Sequence, residues 1–385
     1  MSTSIKTRIK SFLKKVIYLL PIQKNKIVFI NYDFKGYGDN PKYIAEEIVR
    51  QGLPWKLVWL VKDDYFVPSN IKKVYLHMGL SWYYELSTAG VIIINLKGTL
   101  ISKLYNKRKN QVFLQTWHGD FPLKYIEKEA EDVLSVGYVA ASKADSAITN
   151  AIVSGNKQFS EILKKSFWLP EECKILEYGV PRNDIYFKNS TFRDKLRLQY
   201  GFSSEDCILL YAPTFRDNHD ISCYNIDYER LRRFLCNTTD KRWKIIVRLH
   251  PNISDLANSF CYNDDIINGT VCEDQQELCL ISDVLVTDYS SMMADFILMK
   301  KPVFLYAMDL DKFSTPNIGR GLREVFYKLP FSLSKTQNEL EHYLASFDKE
   351  DYDKKMSVFM RESFDSFDDG HASEGVVNYI KNVIS

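Results

Sequence analysis

Two histidines stand where an apolar run gives way to a polar loop. His118 comes shortly after the run Val112–Leu114 and precedes Gly119, whose missing side chain lets a ligand approach the backbone. Because an imidazole titrates near neutrality, His118 is suited to take a proton from a hydroxyl group. A structural histidine in a turn is the alternative interpretation.

The second histidine, His250, is accompanied by Arg248, and both follow the apolar run Ile245–Val247. A cation and an imidazole at the end of a strand can hold a diphosphate, which makes this pair a candidate for donor binding and catalysis. The alternative is a surface arginine beside a histidine that caps a turn before a proline.

A hydroxyl-rich loop follows a third apolar run, Val284–Val286. Its polar residues include Thr287, Asp288, Ser290 and Ser291. Either serine can cap the helix that the following apolar pattern predicts, and the free N–H groups and dipole of that helix would favour an anion. Capping alone would explain the serines, but a phosphate site is preferred because the arginine–histidine loop is expected at the same edge of the same sheet.

Several further residues are candidates for ligand contacts, but each alone is weaker evidence than the three loops above. The possible phosphate contacts are Arg182, Thr214, Arg216 and Arg320. Near the N-terminus, a loop predicted to begin a helix, with Asp39 or Asn40 as its cap, can receive an acceptor. The acceptor-side candidates are Gly38, Asp39, Asn40, Gly119 and Lys124. The triplet Asp309-Leu310-Asp311 has the form of some metal sites but is common by chance, so no metal site is predicted.

These loops need strands to position them, and short apolar runs alternate with longer mixed segments along the whole chain. The predicted strands are Ile27–Ile30, Leu57–Val61, Val91–Ile94, Val112–Leu114, Tyr138–Ala141, Ile175–Glu177, Ile208–Tyr211, Ile245–Val247, Val284–Val286 and Val303–Leu305. The pattern indicates an α/β fold with two Rossmann-like halves that meet around residues 182–190. Open parallel sheets bind ligands beyond the carboxyl ends of their strands, which is where the candidates above fall.

The net charge of the chain argues against nucleic acid as a partner. The 385 residues carry a formal net charge of +2, whereas a protein that binds nucleic acid normally has a strong basic excess. The seven cysteines form no CxxC pair and are interpreted as reduced, buried thiols.

The pattern of residues 1–21 predicts a basic amphipathic helix, because apolar residues recur at helical spacing with lysines and an arginine between them. The apolar run is too short to span a bilayer. Such a helix can lie in the interface of an anionic membrane, and docking onto its own domain is the alternative.

Eight segments, taken in order, resemble the CDP-glycerol glycerophosphotransferase family, which includes the teichoic-acid primases and polymerases. The segments are GYGDNPKY, QTWHGDFPLK, GVPRND, YAPTFRDN, RLHPN, VTDYSSMMADF, KPVFLYAMDLDKF and DDGHASEGVV. Each segment alone is weak evidence, but eight in register over nearly the whole chain are strong evidence.

The resemblance implies a GT-B-like fold, in which two Rossmann-like domains face each other across a cleft. The expected parts are the membrane-surface helix 1–21, an acceptor domain 22–185, a CDP-polyol-binding domain 186–365, and a last helix within 366–385 that crosses back to the first domain. In the implied reaction an acceptor hydroxyl attacks the phosphorus that bears the polyol, and CMP leaves, with no cofactor required.

The resemblance also implies roles for the matched residues. His118 becomes the general base, and the diphosphate is held by His250, Arg248, Thr287, Ser290 and Ser291. Asp288 would orient that loop, and Arg320 would add charge beside the donor. The implied partners are a CDP-polyol, an undecaprenyl-diphosphate-linked saccharide or polymer, and the anionic cytoplasmic face of the bacterial cell membrane.

One departure from the family pattern affects the acceptor side. The usual family loop after Trp-His-Gly is Thr-Pro-Leu-Lys, whereas here Asp120 and Phe121 precede Pro122. The polyol, glycerol or ribitol, and the polymer, teichoic acid or capsule, stay open at this point. Two competing functions are a GT-B glycosyltransferase that uses a nucleotide sugar and a non-catalytic scaffold of a polymer-assembly complex.

Overall fold

The computed structural model describes residues 3–99, 101–216, 224, 226–313 and 321–384. The chain divides into two compact units. The first unit comprises the residues up to His118, Leu134–Asp184 and the residues from Phe367 onward, and the second comprises Gly119–Val133 and Ile185–Ser366. The segment 119–133, which was expected in the first domain, therefore belongs to the second unit.

Seven parallel strands form the sheet of the first unit. They are β1 Gln23–Ile30, β2 Lys56–Val61, β3 Lys72–Tyr75, β4 Ala89–Ile94, β5 Val112–Gln115, β6 Ala151–Val153 and β7 Lys174–Leu176. Their order in the sheet is β3-β2-β1-β4-β5-β6-β7.

Six parallel strands form the sheet of the second unit. They are β8 Asp206–Tyr211, β9 Arg242–Val247, β10 Ile266–Asn268, β11 Val284–Thr287, β12 Val303–Tyr306 and β13 Leu333–Ser334. The order β10-β9-β8-β11-β12-β13 repeats the arrangement of the first sheet, so each unit is a doubly wound, Rossmann-like α/β structure.

Helices connect and cover the strands. They are α1 Thr3–Leu19, α2 Asp39–Arg50, α3 Ser81–Thr88, α4 Ile101–Leu104, α5 Val136–Ala147, α6 Lys157–Ser166, α7 Ser190–Gln199, α8 Tyr228–Thr239, α9 Gln275–Ile281, α10 Met293–Leu298, α11 Leu310–Phe313, α12 Gln337–Ala345, α13 Lys349–Phe359 and α14 Ala372–Ile384. Because parallel strands are covered on both faces, their side chains are apolar in continuous runs, and every residue of β4 is buried.

The prediction of a strand at Tyr138–Ala141 is wrong, since these residues lie in α5. The side chain of Ser135 caps this helix by accepting a hydrogen bond from the amide of Tyr138, and the small residues that follow suit a helix as well as a strand. Each of the other predicted strands overlaps an observed one. The short strands β3, β6, β10 and β13 are additional.

Helix α1 docks onto the first unit through part of its surface. Ile17 and Tyr18 pack against the apolar cluster that includes residues of α3. The Lys14 ammonium lies 5.0 Å from the centroid of the Trp82 ring and 4.8 Å from that of Tyr83. The apolar side chains that stay exposed on and after this helix are Ile9, Phe12, Leu13, Val16, Leu19 and Leu20. In the described part of the chain, no helix combines the length and the apolar character needed to cross a bilayer.

Helix α14 completes the core of the first unit. Its residues Val376 and Ile380 are fully buried in the apolar cluster that also contains residues of α2, β1 and β2. The start of α14 is held by Asp184, whose carboxylate accepts hydrogen bonds from the amides of Ala372 and Ser373 at 3.0 and 2.8 Å.

A buried ion pair ties the start of the first sheet to α3. The Lys26 ammonium donates to Glu85 Oε2 at 2.6 Å and to the hydroxyl of Thr88 at 2.7 Å, and Lys72 donates to Glu85 Oε1 at 2.6 Å. Burial alone would raise the pKa of Glu85, but the two ammonium groups outweigh it and hold that pKa below its usual range. The stabilisation is therefore present above the unfolded-state pKa of about 4.3 and is lost as the pH falls through the lower folded-state pKa.

The Glu85→Gln variant is expected to lose about 3–5 kcal/mol of stability, because it leaves the buried Lys26 ammonium without a counter-charge. The measurement is denaturant unfolding at neutral pH. Glu350→Gln is the control, since Glu350 pairs with Lys354 on an exposed surface and its removal should change stability by less than about 0.5 kcal/mol. Equal unfolding midpoints for the two variants would contradict the assigned role of the buried pair.

Candidate functional site

The two sheets share a geometric feature that selects certain loops. In each one the strand order reverses direction at one point, between β1 and β4 in the first unit and between β8 and β11 in the second. The connections on the two sides of such a point lead to opposite faces of the sheet, which opens a crevice beyond the carboxyl ends of the strands. The loops after β1, β4 and β5, and those after β8, β9 and β11, are therefore the places at which ligands are expected.

In the first unit, His118 follows β5 and is half-buried. Its Nδ1 lies 3.0 Å from the carbonyl oxygen of Asn95, which directly follows β4. A carbonyl can only accept a hydrogen bond, so Nδ1 carries a proton, and in the neutral imidazole the lone pair is on Nε2. The Trp117 ring lies against the imidazole at a centroid distance of 4.1 Å. This tautomer is the one that a base acting through Nε2 requires.

The backbone before His118 is strained. Trp117 has a φ of 54°, in the left-handed region that a residue with a large side chain rarely adopts. Such a conformation costs on the order of 1–3 kcal/mol and persists only where surrounding contacts hold it. Asn40 provides such contacts, because its Nδ2 donates to the carbonyl oxygens of Trp117 at 2.9 Å and of Thr116 at 3.3 Å.

Arg182 and Asp39 form a buried ion pair in the first unit. Arg182 Nη1 donates to Asp39 Oδ2 at 2.8 Å and to the carbonyl oxygen of His118 at 2.9 Å. Burial alone would raise the pKa of Asp39, but the Arg182 guanidinium, the hydroxyl of Tyr32 and the amide of Asn40 hold that pKa below its usual range.

This placement differs from the sequence-based assignment of Arg182 to the donor and of Asp39 to the acceptor. The two side chains are only 4% and 3% exposed and pair with each other. The prediction of Asp39 or Asn40 as the cap of α2 is also wrong, because Gly38 is the N-cap, in an extended conformation, and no side chain caps the helix. Asn40 therefore holds the backbone before His118, and Asp39 holds the arginine that binds the His118 carbonyl. Gly38 is buried at the start of α2.

In the second unit, Arg216 is the centre of a buried network. Its guanidinium donates to Asp288 Oδ2 at 2.9 Å and to both carboxylate oxygens of Asp309, at 2.7 and 2.9 Å. It also donates to the carbonyl oxygen of Thr214. Asp288 Oδ1 in turn accepts hydrogen bonds from the amides of Thr214 at 2.8 Å and Tyr289 at 2.6 Å. The network joins the loop after β8 to the loop after β11.

The two threonines of the site differ in what their hydroxyls do. The Thr287 hydroxyl donates to the carbonyl oxygen of Ala212 at 2.7 Å and is fully buried, so this group fixes the end of β11. The Thr214 hydroxyl oxygen is buried and has no hydrogen-bond partner within the described residues. A buried hydroxyl without a partner is costly, and a ligand oxygen would satisfy it.

Arg248 and His250 lie on the loop after β9. Arg248 Nη1 donates to the carbonyl oxygens of Gly269 at 2.8 Å and Cys272 at 2.7 Å, which places this guanidinium beneath a neighbouring turn. These backbone contacts use Nη1 alone, and the contact of Arg248 with a diphosphate stays a prediction. The half-buried imidazole of His250 stacks on Phe215 with a centroid distance of 5.0 Å and an interplanar angle of 29°.

The two serines after β11 are half-buried. Ser290 Oγ accepts a hydrogen bond from the amide of Met292 at 3.2 Å, ahead of α10, which has six residues. The capping prediction is wrong in detail, because the N-cap position is Met292 and no side chain caps the helix. A Cβ at Gly119 would lie 3.3 Å from Ser291 Oγ, so the missing side chain of Gly119 lets its backbone pack against this loop.

The remaining predicted positions are Lys124, Arg320 and the Asp-Leu-Asp triplet. Lys124 is half-buried, pairs with Leu322 through a backbone bridge, and has its ammonium 5.6 Å from the centroid of the Phe313 ring. Arg320 lies outside the described residues. The two carboxylates of the Asp-Leu-Asp triplet have separate cations, Asp309 with Arg216 and Asp311 with Lys335. Within the described part of the chain, no three side chains of His, Cys, Asp or Glu form a group that could hold a metal ion.

Some site residues had not been found from the sequence. Asn95 follows the apolar run that forms β4, so the rule that favours polar residues at strand ends would have found it. Tyr289 stacks on Phe313 at a centroid distance of 3.8 Å, and its hydroxyl donates to Asp309 Oδ1 at 3.1 Å. Burial raises the pKa of this tyrosine, so it remains a hydrogen-bond donor.

Comparison with known proteins gives a consistent result. The family model described as CDP-Glycerol:Poly(glycerophosphate) glycerophosphotransferase matches residues 12–382. The teichoic acid glycerol-phosphate transferase of Staphylococcus aureus (strain NCTC 8325 / PS 47) is 32% identical over 406 residues, which cover 98% of this chain and 99% of that protein. The teichoic acid poly(glycerol phosphate) polymerase of Staphylococcus epidermidis is 30% identical over 386 residues. That match covers 93% of this chain and 51% of the polymerase, so the chain spans about half the length of this relative.

Solved structures show the same similarity. A structure of the wall teichoic acid polymerase TagF matches with a TM-score of 0.83 and 29% identity, covering 99% of this chain and 95% of that chain. A TagF variant soaked with CDPG matches with a TM-score of 0.83 and 27% identity, covering 99% and 94%. A Staphylococcus aureus MnaA–UDP structure, at a TM-score of 0.54 and 15% identity over 93% of this chain and 96% of that chain, shows a likeness of fold alone.

The Arg216→Met variant should destabilise the second unit by about 3–5 kcal/mol, because it leaves the carboxylates of Asp288 and Asp309 without their shared cation. It should also loosen the loops after β8 and β11, which lose the group that joins them. Denaturant unfolding and amide hydrogen exchange measure the two effects. Lys335→Met is the control, because Lys335 pairs with the exposed Asp311 and its loss should leave both quantities unchanged. Wild-type stability and exchange in Arg216→Met would contradict the assigned role of the network.

Proposed function

Because this chain belongs to the CDP-glycerol:poly(glycerophosphate) glycerophosphotransferase family, we propose that it transfers glycerol phosphate from CDP-glycerol to a hydroxyl group of a lipid-linked teichoic-acid-type acceptor. The observation that carries the proposal is the orientation of His118. Its imidazole follows β5 with Nδ1 bound to the Asn95 carbonyl, so Nε2 has the lone pair that accepts a proton.

The reaction follows from that tautomer. The acceptor oxygen attacks the phosphorus that bears the glycerol, and His118 Nε2 takes the hydroxyl proton as the new oxygen–phosphorus bond forms. The bond from this phosphorus to the bridging oxygen of the diphosphate breaks, and CMP leaves with the electron pair. Phosphoryl transfer depends mainly on positioning and on neutralising charge, and a base in the right place typically contributes about 10²–10⁴ in rate.

The donor is proposed to bind at the second unit, over the loops after β8, β9 and β11. Groups suited to phosphate oxygens are the half-buried hydroxyls of Ser290 and Ser291, the Thr214 hydroxyl that has no partner within the described residues, and the imidazole of His250. Arg216 and Asp288 hold these loops in place and would act on the donor through them.

We propose that no metal ion is needed for the transfer. The carboxylates that a metal site would use are already neutralised, since Asp309 pairs with Arg216 at 2.7 Å and Asp311 with Lys335 at 2.8 Å. Charge on the diphosphate would instead be met by hydroxyl, imidazole and N–H groups, which stabilise a transition state without a Lewis acid when they are preorganised.

His118→Ala should reduce CMP release by about 10²–10⁴-fold while CDP-glycerol binding persists, because only the proton acceptor is lost. The assay follows CMP with purified protein, a lipid-linked saccharide acceptor and either CDP-glycerol or CDP-ribitol, with and without EDTA. We expect release with CDP-glycerol, and the same rate in EDTA. His77→Ala is the control, since His77 is exposed just after the edge strand β3. Turnover of a nucleotide sugar in place of CDP-glycerol, or wild-type turnover in His118→Ala, would refute the proposal.

We also propose that α1 places the enzyme on the cytoplasmic face of the membrane, beside an undecaprenyl-diphosphate-linked acceptor. Phe12 and Leu19 on this helix are 65% and 79% exposed, while Lys14 faces the unit on which the helix docks. Arg8, Lys10 and Lys15 are also exposed. Apolar side chains together with cations favour burial at the interface of an anionic bilayer.

The double variant Phe12→Asp/Leu19→Asp should no longer float with vesicles that contain anionic phospholipid, because both apolar contacts are replaced by carboxylates that the surface repels. Flotation in a density gradient measures this binding. Val358→Asp is the matched control, since it adds a carboxylate at another exposed apolar position, on α13, and should leave flotation unchanged. Unaltered flotation of the double variant would show that α1 is not the membrane-binding element.

A further inference from the structure

We propose that the buried Asp39–Arg182 ion pair is a positioning device for His118, which fixes the backbone that carries the imidazole without contacting donor or acceptor. The inference rests on the proposed function, in which His118 accepts the proton of the attacking hydroxyl. The pair would contribute to the transfer by holding His118 in place and not by binding phosphate directly.

Side chains from outside the sheet hold the chain between β5 and His118. The strand ends at Gln115, the amide of Thr116 still donates to the Ile94 carbonyl at 2.8 Å, and the chain then leaves the sheet before the imidazole is reached. Two side chains bind the carbonyl groups of this stretch. Asn40 donates to the carbonyls of Thr116 and Trp117, and Arg182 Nη1 donates to that of His118 at 2.9 Å. Three successive carbonyls are thereby held from outside the sheet.

The side chains of Asn40 and Arg182, which hold these carbonyls, are themselves connected. The backbone amide of Arg182 donates to Asn40 Oδ1 at 3.0 Å, and its Nη1 donates to Asp39 Oδ2 at 2.8 Å. The amide of Asn40 donates to Asp39 Oδ1 at 2.7 Å. The hydroxyl of Tyr32 adds a further hydrogen bond to Asp39 Oδ2 at 2.6 Å. The start of α2, the loop after β1 and the segment after β7 thus form one closed network.

The network also maintains strain in the backbone at Trp117. Trp117 has a φ of 54°, and a residue with a large side chain leaves this region unless its neighbours prevent it. A change at Trp117 would rotate the next residue and move the His118 ring away from the Asn95 carbonyl that selects its tautomer. The network therefore acts on the imidazole through the backbone.

The burial of the pair supports a positioning role over direct binding. The side chains of Arg182 and Asp39 are 4% and 3% exposed, so a dissolved substrate would not reach them. A buried ion pair is also weak evidence for a role in stability alone, because an apolar pair of similar volume often stabilises a fold as well. What an apolar pair would not supply is the donor that spans the Asp39 carboxylate and the His118 carbonyl.

The test compares steady-state CMP release by the wild type, Arg182→Met, Arg182→Lys and Asp39→Asn. We expect Arg182→Met to lower kcat about 10- to 100-fold, in keeping with the cost of misplacing a reacting group by about 1 Å. The KM for CDP-glycerol should stay within about twofold, because no donor contact is removed. Arg182→Lys should recover part of kcat, since it restores the cation. The double variant Asp39→Asn/Arg182→Met should be no slower than Arg182→Met, because both changes break the same network.

Lys26→Met is the matched control. It also removes the cation of a buried ion pair in the first unit, since Lys26 and Glu85 are 2.6 Å apart and 4% and 3% exposed. It should lower the unfolding midpoint without lowering kcat. An Arg182→Met enzyme with wild-type kcat, or a Lys26→Met enzyme with an equal loss of kcat, would overturn the proposal. Asp39→Asn and Arg182→Lys keep the test decisive if Arg182→Met does not fold.

A second readout separates this inference from the proposed function. In protein labelled with ¹⁵N at its six histidines, the His118 signals are those missing from the spectrum of His118→Ala. We expect the tautomer protonated at Nδ1 in the wild type and a mixture of tautomers in Arg182→Met. An unchanged tautomer in Arg182→Met would overturn the positioning role. Wild-type turnover in His118→Ala would instead refute the proposed function and leave the tautomer result to stand by itself.

Discussion

A buried arginine held by an aspartate is the interaction on which the candidate loops of each unit depend. Arg182 pairs with Asp39 in the first unit, and Arg216 pairs with Asp288 in the second. Each arginine also donates Nη1 to the backbone carbonyl of a predicted site residue, His118 in one case and Thr214 in the other. Charges removed from water must be fully paired and hydrogen-bonded, so each pair fixes the loop that it contacts.

Parallel topology explains why these pairs lie where they do. In both sheets the strand order reverses next to the first strand of the unit, and the loops on either side come from distant parts of the sequence. Such loops share no ladder of hydrogen bonds, so side chains must join them. Asp288 does this by accepting the amide of Thr214, and Asn40 does it by donating to the carbonyl of Trp117. The strands thus fix where each loop begins, and buried polar side chains fix how the loops are held to one another.

The sequence predicted more of the fold than of the side-chain roles. Continuous apolar runs identified the central strands, whereas β10 and β13 have three and two residues, too few for a pattern to be visible. His118 and the serine loop were singled out because polar residues follow such runs closely, and their roles stay predictions. A sequence does not reveal burial, so it could not show that Arg182 and Arg216 form buried ion pairs or that Arg248 binds backbone carbonyls. The partner of Arg182 stands 143 residues away, and only the folded chain brings Asp39 to it.

The division of the chain has a practical consequence for cutting it apart. The backbone passes from one unit to the other at 118/119, 133/134, 184/185 and 366/367, so neither unit is a continuous stretch of sequence. A fragment that stops at Asp184 would lose α14, leaving the apolar surface normally covered by Val376 and Ile380 open to water. It would also carry Lys124 without its bridge to Leu322. Proteolysis or gene truncation at the middle of the sequence would therefore yield two incomplete pieces, and each Rossmann-like unit is better regarded as a product of the whole chain.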